Sequence, residues 1–537
     1  MLVGKFSIFS FLLAVKCYSY ELNILHVNDV HAHIDGTSRS SGLCREGASC
    51  YGGFARVMAK VKELRKSLPN VIFLSAGDMF TGTPYFTKFK SDVLVDFVNE
   101  MNFDAQALGN HEFDEGIQEL SKYLPKITSP IVCCNIDISG HPSLKSANIL
   151  DSVILNVGEV KVGIVGFLTT DVHPGKREKV IVHPEIPSLK KAVGDVRKKG
   201  AQIVVVVGHS GYEPEMEIAK EVDGIDAVVG GHSHTFLYSG KLPSDDFDKP
   251  KGPYPTVVSQ ITGKKVPVVQ AFQFTKYLGH LRLEFDDGFR LVNASGNPIL
   301  LKPSSPRDQK ILEIQEKWDR NMTEMCQVVG EFTEDVDGDR TLCRFQECPM
   351  GNFVADAIQD YARKNLNGSH VISFIHGGLI RSSIEKGKAT VAEVSSVLPF
   401  RDPIVTLRVT GATLRQALEF SVKDYSSIVG TPRFVQPSGL KVKFNLNKPV
   451  GSRMLEAGVY KGLNEPALNL TESDTYLVTM SKFTYHGGDN YTMFRDNNSP
   501  IVYQSDKSLS EIILEYLKTR GSYEPKKESR VEVVEQL

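Results

Sequence analysis

Val71-Ile72-Phe73-Leu74-Ser75-Ala76-Gly77-Asp78 is an apolar run of strand type that ends in a glycine and a carboxylate. The pattern recurs along the first half of the chain. Ile203 to Val207 leads into Gly208-His209, and Asn28-Asp29-Val30-His31, Gly109-Asn110-His111-Glu112 and Gly230-Gly231-His232-Ser233-His234 carry the same residue types. Side chains that follow strands gather at the carboxyl edge of an open α/β sheet, where residues distant in sequence share one crevice. Helix-like stretches at 54–67, 91–101 and 189–199 alternate with the strands, so the expectation is a layered, βαβ-rich domain.

Carboxylate, imidazole and carboxamide ligands without thiolate suit two borderline divalent ions, zinc or manganese foremost, with calcium or magnesium dependence left open. Two such ions clamp the attacking and leaving oxygens of an in-line displacement, so the five patches read as a binuclear phosphoesterase centre. Asp78 is the expected bridge, because its two oxygens can touch both ions and lessen their repulsion. Asp29 and His31, at alternate positions, hold the first ion with His234, while Asn110, His209 and His232 hold the second. His111 follows a ligand and is read as the group that stabilises charge on the phosphoryl group or protonates the leaving oxygen, oriented by Asp114. His26, His33, His141, His173, His183 and His280, together with Asp35 and Glu112, are read as ordinary hydrogen-bonded or solvated residues.

These motifs, with Leu108-Gly109-Asn110-His111-Glu112-Phe113-Asp114 in full, resemble the 5'-nucleotidase family, which includes ecto-5'-nucleotidases and the secreted apyrases of blood-feeding arthropods. The resemblance continues through Cys343-Arg344-Phe345-Gln346-Glu347-Cys348, Met350-Gly351-Asn352, Gly377-Gly378-Leu379-Ile380-Arg381, Leu398-Pro399-Phe400 and Gly487-Gly488-Asp489. It implies a four-layer α/β/β/α metallophosphoesterase domain at 20–300, a connecting helix at 301–327 and an α/β nucleotide-binding domain at 328–537. It also implies nucleotide contacts from Arg344 and Arg381, base stacking between Phe400 and Phe483, a ribose-hydroxyl acceptor in Asp489, and rotation of the second domain about the connector. The chain departs from the family at His376 and Leu379, where relatives commonly carry an asparagine and a glycine. Substrate preference is therefore open.

The connector itself is legible. Ser305-Pro306 reads as a cap and first helical position, and Ile311, Ile314, Trp318, Met322 and Met325 mark one apolar face.

Lys5 and the apolar stretch Phe6 to Val15 read as a signal peptide over residues 1–19. The ending from Lys526 to Leu537 has no hydrophobic tail of the GPI type, so a secreted protein without a stable membrane anchor is expected. Eight cysteines fit an oxidising compartment, and the resemblance implies bridges between Cys44 and Cys50 and between Cys343 and Cys348. Of Cys133, Cys134 and Cys326, at least one of the first two is read as a buried thiol. Sequons stand at Asn293, Asn321, Asn367 and Asn469, and less credibly at Asn490 and Asn497. A formal net charge of −2 gives no basis for nucleic-acid binding.

The functional expectation is an apyrase that takes extracellular ATP and ADP to AMP, with the salivary, platelet-suppressing role that the resemblance implies. The alternatives are a 5'-nucleotidase that takes AMP to adenosine, and a nucleotide-binding protein without turnover. Oligomeric state is left open.

Overall fold

Alternate residues of the strand Tyr20–Val27 face two different cores. Leu22 and Ile24 join one cluster with Ile72 and Leu74, while Leu25 and Val27 join another with Phe73. The computed structural model describes residues 20–45, 47–172, 180–243, 248–428, 430–460 and 466–534. The expected signal peptide and His173 lie outside the described residues.

Tyr20–Val27 pairs in parallel with Val71–Ser75, which continues to Ala105–Ala107 and Ile131–Val132, and its other edge is antiparallel to Tyr277–Phe285. A second sheet runs in parallel through Val160–Leu168, Ile203–His209, Ala227–Val229 and Lys265–Val269. The valines of Ile203–His209 are fully buried, as a strand covered on both faces requires. Phe54–Ser67 and Ser91–Met101 cover the outer face of the first sheet, and Glu185–Lys198 and Tyr212–Glu221 cover the second. The four-layer α/β/β/α expectation is met.

The later part of the chain is built on a sheet ordered Val435–Ser438, Ile372–His376, Thr475–Ser481, Pro403–Thr410 and Ile501–Ser508. Here too adjacent residues point to opposite cores, Phe374 to one and Ile375 to the other.

One local expectation is corrected. The connector helix spans Gln309–Asp319, and its cap is Asp308, whose carboxylate accepts the Ile311 N–H at 3.3 Å. Asp and Ser cap equally well, so the start falls where the helix docks on the amino-terminal core. Ile311 is fully buried, and Ile314, Trp318 and Met325 pack on the amino-terminal core. Ion pairs from Lys62 to Asp308 at 2.6 Å and from Lys317 to Asp96 at 2.9 Å bind the helix to the same body.

Candidate metal centre and nucleotide pocket

Asp78 follows the strand Val71–Ser75 with φ of 56°, and Asp29, His31, His232 and His234 share this left-handed backbone at 49°, 49°, 71° and 50°. Such angles cost a non-glycine residue about 1–3 kcal/mol and persist only where the surroundings over-determine them. Buried amides and carboxylates supply those surroundings. Glu112 accepts the N–H groups of Asp78 at 3.1 Å, Met79 at 2.7 Å and Phe80 at 3.1 Å, and also that of Gly109. It is a hydrogen-bonded carboxylate as expected, and it ties the Asp78 turn to the Asn110 turn. Gly109 is required at that junction, since a Cβ there would lie 2.1 Å from Asp78 Oδ1.

The other turns are held in the same way. Asn28 donates to Asp29 Oδ2 and to the Phe272 carbonyl, each at 2.7 Å. Gln270 accepts from Thr235 N at 2.8 Å and donates to the Gly231 carbonyl at 2.8 Å, and Glu215 accepts from Gly231 N at 2.9 Å. Gln273 Oε1 pairs with His234 Nδ1.

Ligand atoms of Asp29, His31, Asp78 and His234 all lie within 4.8 Å of one another and are buried. His234 Nε2 is 2.9 Å from Asp29 Oδ1, and His31 Nε2 is 3.5 Å from Asp78 Oδ2. The same Asp78 Oδ2 is 2.8 Å from His209 Nε2, and His232 Nδ1 is 2.9 Å from Asn110 Oδ1. The rings of His209 and His232 meet edge to face at 5.2 Å. Asp78 Oδ2 thus lies within 3.5 Å of a histidine of each expected group.

Four observations fit this cluster to two divalent ions. Asp29 and Asp78 are 0% and 1% exposed and lie among histidines, an arrangement in which a bound cation would offset their buried charge. His209 Nε2 is buried and lacks the alignment of any hydrogen bond. His31 Nδ1 lies 2.7 Å from the Thr81 carbonyl and His209 Nδ1 2.7 Å from that of Ala76, so each ring has an acceptor for its Nδ1 proton on the outside and presents Nε2 to the cluster. Burial, before any charge effect, holds His31 and His234 well below the usual histidine pKa and brings His232 down to about 3, leaving neutral ligands. His209 differs. Burial opposes its charge too, but the Asp78 and Asp29 carboxylates outweigh it and push its pKa up to about 10.

His111 Nδ1 is 2.7 Å from Asp114 Oδ2, and its backbone N–H donates to Asp78 Oδ1 at 3.0 Å. Burial disfavours charge on this ring, yet Asp114 and Asp78 outweigh that effect and raise its pKa. From the second body, Arg381 Nη2 reaches within 3.1 Å of His111 Nε2 and 3.2 Å of His31 Nε2. The Phe400 ring lies 6.0 Å from that of His111 and 5.8 Å from the Arg381 guanidinium.

Arg344 is 8% exposed with an unpartnered Nε, next to Cys343, which is bonded to Cys348. The second expected bridge, between Cys44 and Cys50, is also present, and Cys133 is a buried free thiol. Phe483 packs on Gly488, where a Cβ would lie 2.3 Å from the ring. Phe400 and Phe483 rim the same apolar cluster. Asp489 stands 3.4 Å from His376.

Sequence reasoning missed Arg340. It sits one helical turn before Arg344, donates to the His232 carbonyl at 3.3 Å, and lines a cavity with Arg344, Arg381, His234 and Gln273. Burial and then the charges of Arg340 and Arg381 hold Arg344 well below the usual arginine pKa. It also missed Glu215, Gln270 and Gln273. The two glutamines follow the strand Lys265–Val269 at its carboxyl end, the same signal that found the ligands.

Residues 22–236 match the calcineurin-like phosphoesterase model, and residues 328–496 match the 5'-nucleotidase C-terminal domain. The chain is 38% identical to Protein 5NUC of Lutzomyia longipalpis over 540 residues, covering 96% of this chain and 93% of that one. It belongs to the 5'-nucleotidase family. The snake venom 5'-nucleotidase of Naja atra is 38% identical, covering 96% of this chain and 98% of the relative. Among solved structures, a 5'-nucleotidase precursor from Thermus thermophilus superposes with a TM-score of 0.87 at 33% identity, covering 96% of this chain and 99% of that one. As a 5'-nucleotidase family member the protein is a metal-dependent phosphoric ester hydrolase that acts on nucleotides, and its Asp/His cluster fits a binuclear metal site.

Proposed function

We propose that this protein hydrolyses extracellular nucleotides at the terminal phosphate, with a 5'-monophosphate such as AMP as its first substrate. The observation that carries this reading is the approach of Arg381 to His111 and His31, which brings a cation of the nucleotide-binding body against the metal cluster. The names of the venom relative and of the solved structure, each a 5'-nucleotidase, favour the monophosphate over the expected apyrase substrates.

Asp29, His31, Asp78 and His234 would hold one ion, and Asp78, Asn110, His209 and His232 the other. Two bound divalent ions supply Lewis acidity and an activated water at neutral pH. The chain's own groups do the rest. Asp114 keeps the His111 proton on Nδ1, so Nε2 is aimed at the space where Arg381 ends, suited to stabilising the phosphoryl group or receiving and returning a proton at the leaving oxygen. Arg344 and Arg381 offset phosphate charge, Phe400 and Phe483 hold the base, and Asp489 accepts from the ribose.

The apyrase reading keeps one supporting observation. Arg340, Arg344 and Arg381 bring three cations to one cavity, more than a single phosphate needs. Release from the cell is supported by the two disulfides, by the venom relative and by the exposure of Asn293, Asn321, Asn367 and Asn469. Among the described residues no helix is long and apolar enough to cross a membrane.

The test is phosphate release from AMP, ADP and ATP by metal-loaded protein. Rapid cleavage of AMP is expected. Release from ATP and ADP that stops at AMP would transfer the assignment to an apyrase, and binding without any release would leave a nucleotide-binding protein.

A further inference from the structure

His376 stands where the family resemblance implies an asparagine, and its ring does not line the arginine cavity. It is 0% exposed at the end of the strand Ile372–His376, stacked on Tyr491 with centroids 5.6 Å apart. Both nitrogens are committed to protein groups. Nδ1 lies 3.1 Å from the Pro432 carbonyl and 3.4 Å from Asp489 Oδ2. The Pro432 carbonyl is the hydrogen-bonded acceptor for an Nδ1 hydrogen, and the Asp489 carboxylate is a close electrostatic neighbour of the same nitrogen. Nε2 is then a lone pair, and it faces Thr484 Oγ1 at 3.3 Å.

The chain of bonds continues with one consistent direction. Thr484 Oγ1 is 2.8 Å from Ser481 Oγ, and Ser481 Oγ accepts the Thr484 N–H at 3.0 Å as the cap of the helix Lys482–Tyr485. That helix carries Phe483. At the other end, Asp489 sits at φ 48° and ψ 29°, with its carbonyl held by Arg433 Nε at 2.8 Å. Arg433 is in turn tied to Tyr491, whose hydroxyl donates to the Arg433 carbonyl at 2.6 Å. Burial is the main cause that lowers the His376 pKa, which keeps the ring in the neutral form this chain of bonds requires.

We propose that His376 is a positioning residue for the nucleoside. Its Nδ1 edge attracts the Asp489 carboxylate across 3.4 Å and biases it toward the ribose hydroxyls, and its Nε2 fixes the turn that carries Phe483. Sugar discrimination in this protein then depends on an imidazole that never touches the substrate. The inference rests on the nucleotide-hydrolase reading above and deepens it.

The test compares AMP, 2'-deoxy-AMP, 3'-deoxy-AMP and the ribose-free ester p-nitrophenyl phosphate on the full-length, metal-loaded protein. In the parent, AMP is preferred over at least one deoxy analogue. His376→Phe keeps a ring of similar size but no nitrogen, and should raise KM for AMP roughly three- to ten-fold with kcat little changed, the loss expected for ordinary buried hydrogen bonds and a close electrostatic contact. The deoxy preference should disappear, while p-nitrophenyl phosphate is cleaved as by the parent. His376→Asn, which keeps a donor near Nδ1, should restore part of the preference. Asp489→Asn should abolish the preference alone, with no further loss on adding His376→Phe. An unchanged preference in His376→Phe overturns the inference, and so does an equal fall on the ribose-free ester. Failure of the parent to cleave any nucleotide while cleaving p-nitrophenyl phosphate would instead overturn the function on which it rests.

Discussion

Arg381 Nη2 stands 3.1 Å from His111 Nε2, so a side chain of the later body meets the imidazole beside the metal ligands. The guanidinium is aimed by its backbone N–H, which donates to the Val397 carbonyl at 2.9 Å. Arg381→Ala should lower kcat/KM for AMP by on the order of a hundred-fold, because a charge-assisted contact to the phosphoryl group contributes roughly 2–3 kcal/mol. Metal content should be unchanged. Arg381→Lys should recover little, since an ammonium lacks the planar fork. Steady-state kinetics with metal analysis checks both.

Asp78 lies between the two ligand groups, 2.8 Å from His209 and 3.5 Å from His31. Asp78→Asn should bind clearly less than the parent's metal after dialysis, because the amide lacks the charge that offsets two cations. Chelation of the parent should lower Tm by several degrees, and a divalent ion should restore it, as follows when a ligand binds only the folded state. A Tm indifferent to chelator would reject the centre.

Glu112 collects the N–H groups of four residues in two ligand turns. Glu112→Ala leaves those donors buried and unpaired, at a cost of on the order of 3 kcal/mol or more. Urea denaturation should show the loss, and metal affinity should fall with it. Glu112→Gln, with one acceptor oxygen left, should lie between the two.

Arg45 crosses from the loop closed by Cys44 and Cys50 to the later body, pairing with Glu393 at 2.5 Å and donating to the carbonyls of Lys386 at 2.8 Å and Glu385 at 2.7 Å. Arg45→Ala should loosen this contact by about 1–3 kcal/mol. Hydrogen exchange at 385–393 should then quicken with the disulfides intact. Unchanged exchange would show that Arg45 does not clasp the two bodies.

Asp35 offers a pH dependence away from the metal ligands. Burial, with a smaller contribution from the Asp319 charge, pushes its pKa up to about 7, and its Oδ1 has no hydrogen-bond partner. The folded protein therefore binds this proton more tightly than the unfolded chain does. Stability from this group is full below the unfolded carboxylate pKa and is lost as pH rises from about 4 through 7. Asp35→Asn should flatten that slope and stabilise the protein near pH 8, by on the order of 1–3 kcal/mol. Urea midpoints at pH 5 and pH 8 measure it.

The sequence by itself determined the layers and most of the centre. Apolar runs of strand length followed by Asp, Asn or His mark the carboxyl edges of parallel strands, and that local rule picked out Asp29, His31, Asp78, Asn110, His209, His232 and His234, of which the structure gathers Asp29, His31, Asp78 and His234 within 4.8 Å. Helix periodicity located Phe54–Ser67 and Ser91–Met101 to the residue. It could not locate the connector's start, because the competition between Ser305 and Asp308 is decided by where the helix docks on the amino-terminal core.

Only the tertiary structure decided what holds the ligands and what meets them. The left-handed backbone at five of them is sustained by Glu112, Glu215, Gln270 and Gln273, and an amide or carboxylate that binds distant N–H groups has no sequence pattern of its own. The same holds for Arg340 and Arg381, whose approach to His232 and His111 joins residues more than a hundred positions apart. His376 makes the point most sharply. The sequence marks it as a departure, but its hydrogen bonds to Thr484 and Pro432 and its 3.4 Å contact with Asp489 exist only because three segments close around one buried ring.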